Sequence, residues 1–388
     1  MRRFRAQIAS AHFAFVLTGA VTTLLGTMLP FLRQHWSLND LQSGQLFAAQ
    51  FLASVLTAAV SSLLLVAFGS RRVVTTGLAL MAFGVAATGF AHWPLGLGAV
   101  ACYGMGLGLT IPATNMWVGE SSSESRASAL NLLNFSWSAG AVLAPLVLIP
   151  MLRRQGIASV LGGLALLLLF AAFWSAVAGN KKSPARAHVT DERPLHVFSR
   201  HERNFVVLAG LMLFLYVGTE NGFGGWIPSY LFRVHHWSPG FIAWGQSAFW
   251  GAILAGRLVA PFALSRLTSI QTVLGGLLLA IVGGCGIIAA DSQVVLLAAI
   301  VLTGFGLAPV FPTTVAIFSD KLGSAASATA GLIFAAAGLG GAVVPAIVGI
   351  VSYHSGNLRF AIVVPVLATF LMVAVHRAIA NSAATIES

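Results

Sequence analysis

Ten carboxylates are spread over 388 residues, and only Glu220 falls deep within an apolar run. Asp40, Glu124, Asp191, Glu192, Glu202, Asp291 and Glu387 lie in polar breaks, at their edges or in the tail, and Glu120 and Asp320 lie at the ends of apolar runs. A carboxylate placed in hydrocarbon is costly, so an acid found there is by default a functional candidate, with a purely structural role as the plainer reading. Two chemistries fit Glu220. It can take up a proton on one side of a membrane and release it when hydrated on the other, or it can accept hydrogen bonds from a solute or orient Asn221 beside it. The glycines of Asn221-Gly222-Phe223-Gly224-Gly225-Trp226 weaken a helix and suit a segment that bends.

A second set of polar residues sits in the apolar runs as amides and indoles. Asn131, Asn134, Trp137 and Ser138 have offsets of 0, 3, 6 and 7, which put most of them on one helical face. Asn115 and Trp117, Gln45 and Gln50, and Gln246 and Trp250 add to them from other runs, together with Glu220, Asn221 and Trp226. Amides both donate and accept, and indoles cover the apolar faces of a pyranose, so such a cavity suits a neutral polyhydroxylated solute. Asn and Gln also join helices, and Trp also belongs to the interfacial belt, which is the reading for Trp36, Trp93 and Trp237. Glu120 and Asp320, with Arg71, Arg72, Arg126 and Arg257, form a candidate cytoplasmic gate of charges that pair in one state and part in another. Solvated surface pairs are the plainer reading of the same residues. Most of the ten histidines fall in loops and termini without metal-ligand spacing, and Cys102 and Cys285 lie in apolar runs as packing residues. No phosphate-binding loop occurs in the sequence, so no metal, nucleotide or other cofactor is expected beyond a coupling ion, a proton.

These residues need elements to position them, and composition says which. The chain is 57% hydrophobic and 8% charged, with mean hydropathy +0.89, against about 45–50% and about 25% in soluble domains. That composition excludes a soluble enzyme, a one-span receptor and a strand-alternating outer-membrane barrel. The net charge of +11 comes from Lys and Arg in short loops, where they set orientation, so no nucleic-acid partner is implied. The basic start, Met1-Arg2-Arg3-Phe4-Arg5, precedes an apolar stretch too long for a signal core, and the stretch reads as a first span. Twelve spans follow: 8–32, 42–66, 73–91, 95–119, 127–150, 157–178, 204–232, 240–263, 271–289, 294–318, 326–352 and 359–379.

The one long polar segment divides the chain into a bundle at 1–179, a linker at 180–203 and a bundle at 204–388. Fifteen basic residues fall on the side of the N-terminus and linker against five on the other, with Arg257 inside a span, so both termini and the linker are expected in the cytoplasm. The halves repeat. A shift of 200 lays Gly104, Gly106, Pro112, Thr114, Gly140 and Pro145 over Gly304, Gly306, Pro312, Thr314, Gly340 and Pro345, and a shift of 201 lays His35-Trp36-Ser37 over His236-Trp237-Ser238. An even number of spans separates the copies, so the two six-helix repeats run parallel, as in transporters whose halves are related by an axis along the membrane normal.

Two parallel six-span halves with this linker resemble the major facilitator superfamily over essentially the whole chain. Phe68-Gly69-Ser70-Arg71-Arg72 is similar to that superfamily's signature after span two, without its acid. Tyr216-Val217-Gly218-Thr219-Glu220 with Gly225-Trp226 and Tyr230 resembles span seven of the fucose:proton symporter branch and related glucose transporters, and Asn115, Leu130-Asn131, Gly140 and Pro145 also match it. The resemblance implies an all-α membrane protein of twelve helices that carries a monosaccharide with a coupling ion. It departs from that branch in span one, which has no carboxylate, and in span four, where Ile111 replaces the acid. The sequence thus leads to an expectation of proton-coupled monosaccharide symport by alternating access, in the inner or plasma membrane, by a monomer that is not an enzyme. An exporter of amphipathic compounds, a sugar uniporter and a sodium-coupled sugar carrier are the alternatives.

Overall fold

The computed structural model describes residues 2–121, 126–178 and 199–387, so most of the expected linker, 180–198, lies outside the described residues. Within hydrocarbon a backbone must satisfy its own hydrogen bonds, and an unbroken apolar helix does so along its length. The described residues accordingly form helices: α1 (Arg2–His35), α2 (Asp40–Phe68), α3 (Ser70–Phe90), α4 (Leu95–Ser121), α5 (Arg126–Gln155), α6 (Ile157–Ala178), α7 (Arg200–Arg233), α8 (Pro239–Leu264), α9 (Ser269–Ala289), α10 (Gln293–Leu307), α11 (Val310–Leu322), α12 (Ser324–Ser355), α13 (Leu358–Ala361) and α14 (Val363–Glu387). Twelve segments are long and apolar enough to cross a membrane, with Gln293–Leu322 and Leu358–Ser382 each counted as one.

The tenth span is not continuous as the sequence suggests. It breaks at Ala308-Pro309, where proline supplies no N–H to the preceding turn and its ring crowds the carbonyl four residues back. The repeat partner of Pro309 is Leu109, and α4 runs unbroken. At the other extreme, α5 and α6 are joined by one residue, Gly156, whose φ of 80° lies in the left-handed region that glycine reaches without penalty.

The chain divides into two compact units. The first comprises Met1–Asn39 and Gln45–Asp191, and the second comprises Asp40–Gly44 and Glu192–Ser388. In the first, α1 packs on α5 and α3 packs on α4 and α6; in the second, α7 packs on α12 and α14, and α10 on α8 and α9. The internal repeat fixes how closely these helices approach. A Cβ on Gly140 of α5 would strike the Val16 carbonyl of α1, and one on Gly340 of α12 would strike the Phe214 carbonyl of α7. Gly106 and Gly306 repeat the match at the next crossing, where a Cβ would lie 2.5 Å from the Gly77 and Gly276 carbonyls respectively. Contact of this kind between small residues lets membrane helices associate without a hydrophobic drive.

Candidate functional site

The second unit gathers the deep charges. Glu220 of α7 is 8% exposed. Tyr216, one turn earlier on the same helix, donates its hydroxyl to Glu220 Oε1 at 3.0 Å. Arg257 of α8 lies with Nη2 3.4 Å from the same oxygen and 3.5 Å from the Tyr216 hydroxyl. The Arg257 side chain retains 31% exposure and its Nε–H is buried with no acceptor, so the guanidinium has donors left over. Phe311 of α11 covers Tyr216, ring centroids 5.6 Å apart. Arg257, a candidate gate residue by sequence, thus lies beside the deep acid. A guanidinium within a span is as costly as a carboxylate, and that cost was the signal that the two belong together.

The helix that carries Glu220 runs unbroken through its glycines. α7 is one helix of 34 residues, and the glycines admit neighbours: a Cβ on Gly222 would meet Val344 and Pro365, and one on Gly224 would lie 2.6 Å from the Trp250 ring. Trp226 is fully buried and its indole donates to the Pro345 carbonyl at 3.0 Å, tying α7 to α12. Gln246 donates to the Gly224 carbonyl at 3.2 Å, which joins α8 to α7, while its buried Oε1 has no donor. Asn221 is half-buried, and its Nδ2 donates to Val217 of its own helix.

In the first unit, α5 exposes Asn131 and Asn134, with Trp137 half-buried and Ser138 buried beyond them. Asn134 donates to the Leu130 carbonyl and Ser138 to the Asn134 carbonyl, which leaves the Asn134 Oδ1 side available. Asn115 of α4 is half-buried and donates to Ile111, while Trp117 is buried. Gln45 is exposed on α2. Gln50 is buried and joins helices: it donates to the Thr22 carbonyl at 3.2 Å and accepts from the Tyr103 hydroxyl at 3.0 Å. A pair that sequence reasoning passed over is His12 of α1 and Ser136 of α5, 2.7 Å apart.

The expected gate residues are spread over their units. Arg71 donates to the Ala176 carbonyl at 3.2 Å, Glu120 accepts from Ser70 at 3.5 Å, and the Arg126 guanidinium lies against Gly119. Arg72 and Asp320 are exposed. A tighter charge cluster involves an acid that the sequence placed at a loop edge. Asp40, in the five-residue piece grouped with the second unit, is buried. It takes a two-pronged bond from Arg233, Nη1 to Oδ1 at 2.7 Å and Nη2 to Oδ2 at 3.0 Å, and a third from Ser352 at 2.6 Å. Among the described residues no group of His, Cys, Asp or Glu is arranged to hold a metal ion.

The family model described as Major Facilitator Superfamily matches residues 11–345 and, in a second match, 209–382. The chain belongs to that family. It is a membrane transporter and not an enzyme. An uncharacterised transporter of the same type from Yersinia pestis is 22% identical over 309 residues, 79% of this chain and 78% of that protein. Among solved structures, a bacterial homologue of the human lysosomal transporter Spinster superposes with a TM-score of 0.82 at 13% identity, covering 99% of this chain and 98% of that one. The nucleoside transporter NupG gives 0.78 at 13%, with 97% and 99% covered. The Escherichia coli fucose:proton symporter FucP gives 0.63 at 21%, with 96% and 98% covered. At these identities the likeness is one of fold.

Proposed function

We propose that this transporter carries a monosaccharide of the glucose, mannose or fucose type together with a proton, and that Glu220 is the coupling carboxylate. The observation that carries the reading is the Tyr216–Glu220–Arg257 cluster, a carboxylate midway along a span held by one hydroxyl and one guanidinium. Ionised, Glu220 balances Arg257. A proton added to the carboxylate removes that balance and frees Arg257 donors for the oxygens of a solute, so proton and solute load together. Loss of the proton restores the pair and withdraws those donors. The exposed amides of Asn131 and Asn134 are costly against lipid, which supports a hydrated path beside α5, and Trp137 next to them offers a sugar its apolar face. The span-seven pattern that resembles the fucose:proton symporter branch supports the same class of solute.

Uptake of labelled glucose, mannose and fucose into proteoliposomes under an imposed inward proton gradient tests this. Accumulation of at least one of these sugars above the external level, abolished by a protonophore and indifferent to sodium, is expected. Equilibration without accumulation would remove the coupling, and no entry of any of the three would remove the sugar.

A further inference from the structure

A groove of about 420 Å³ runs over α2, α3, α4 and α6 of the first unit. Leu64, Phe68 and Leu109 line its length, and Phe68 stands 55% exposed. The end formed by the first two turns of α3 is cationic, lined by Arg71, Arg72 and Thr76. The contact from Arg71 to the Ala176 carbonyl fixes that guanidinium at the last turn of α6, while Arg72 is exposed.

Two arginines at this position run against the helix they sit on. The first turn of a helix carries partial positive charge and favours acids. α3 has no acid in its first turn, and its N-cap, Gly69, offers no side-chain acceptor. Glu120, at the end of α4, accepts from Ser70 at 3.5 Å. The internal repeat supplies a built-in comparison. A groove of about 450 Å³ recurs over α8, α9 and α10 of the second unit, lined by Val259, Leu267, Gln271 and Phe305 with no Lys or Arg among its lining residues. There the helix start is closed by a reciprocal cap between Thr268 and Gln271. The apolar trough is common to both copies, and the cationic, uncapped end belongs to one.

We propose that the first-unit groove binds an anionic phospholipid, its phosphate on Arg71, Arg72 and the open first turn of α3 and an acyl chain along Leu64, Phe68 and Leu109. An apolar trough with a cationic end matches such a lipid in both shape and charge, and basic pockets between membrane helices bind lipid head groups in this way. The charge distribution of the sequence predicts the cytoplasmic side for this end, where anionic lipids attract Lys and Arg, each adding about five-fold in affinity.

Native mass spectrometry of the purified full-length protein, with phosphatidylglycerol and phosphatidylcholine of identical chains, tests the proposal. The wild type is expected to retain phosphatidylglycerol in preference. Arg72→Gln should weaken that binding about five-fold and leave phosphatidylcholine unchanged, and the double variant Arg71→Gln/Arg72→Gln should weaken it further. Because Arg71 also holds the end of α6, the exposed Arg72 is the decisive position. Equal retention of the two lipids by the wild type, or an unchanged preference in Arg72→Gln, overturns the proposal. So does displacement of phosphatidylglycerol by millimolar inorganic phosphate, which would mark a plain anion site with no part for the acyl chain.

Discussion

At the scale of single residues the molecule turns on one carboxylate oxygen shared by a phenol and a guanidinium. Gln is nearly isosteric with Glu and can still accept from Tyr216, but it binds no proton. Glu220→Gln is therefore expected to abolish sugar accumulation driven by a proton gradient while labelled sugar still exchanges between the two sides of a proteoliposome. Accumulation at the wild-type level would take Glu220 out of the coupling. Arg257 is tested differently, because removing one member of a buried pair strands the other. Arg257→Gln should destabilise the protein by about 2 kcal/mol, below the full effect of a buried pair because the guanidinium is partly exposed. The double variant Glu220→Gln/Arg257→Gln should lose less than the two single variants together. Thermal denaturation of the four proteins in one detergent measures this, and strict additivity would mean that the 3.4 Å approach contributes no mutual stabilisation.

At the scale of helices, the repeated glycines set the distances on which those side chains depend. Gly140 and Gly340 each face a backbone carbonyl, which cannot rotate away as a side chain can. Gly340→Ala should push α12 from α7, the helix that carries Glu220, at a cost of about 1–3 kcal/mol. A lowered melting temperature and weakened uptake are expected together, whereas Gly331→Ala, where the added Cβ meets nothing within 4 Å, should leave both unchanged. Equal behaviour of the two variants would deny the close approach a structural role. The positions of the twelve spans and the Gly140/Gly340 correspondence were legible in the sequence, because hydropathy and a 200-residue shift are linear properties. The partner of Arg257 was not, since 37 residues separate it from Glu220 and only the packing of α8 beside α7 brings them together. Asp40 was hidden for a related reason. Its position beside a polar break reads as a loop edge, yet it opens α2, and its partners Arg233 and Ser352 come from far along the chain. Gln50 and Trp226 have the composition of cavity residues, but their donors go to neighbouring helices, a difference that residue type does not encode.

At the scale of the whole molecule, direction of transport depends on which way the chain crosses the bilayer. The excess of fifteen basic residues over five predicts that the N-terminus, the segment around 180–203 and the C-terminus lie in the cytoplasm. The parallel repeat makes this a joint requirement, because an even number of spans separates the matched segments and neither half can invert alone. Green fluorescent protein fused after Ser388 in a bacterial host should therefore fluoresce, and alkaline phosphatase at the same point should be inactive. Phosphatase fused after the break at 234–238, one span beyond the linker, should be active. The opposite pattern at both points would reverse the molecule and place the Arg71–Arg72 end of α3 on the outer side. The inward proton gradient imposed on Glu220 would then describe export, so the fusion result decides how every uptake measurement on this protein is read.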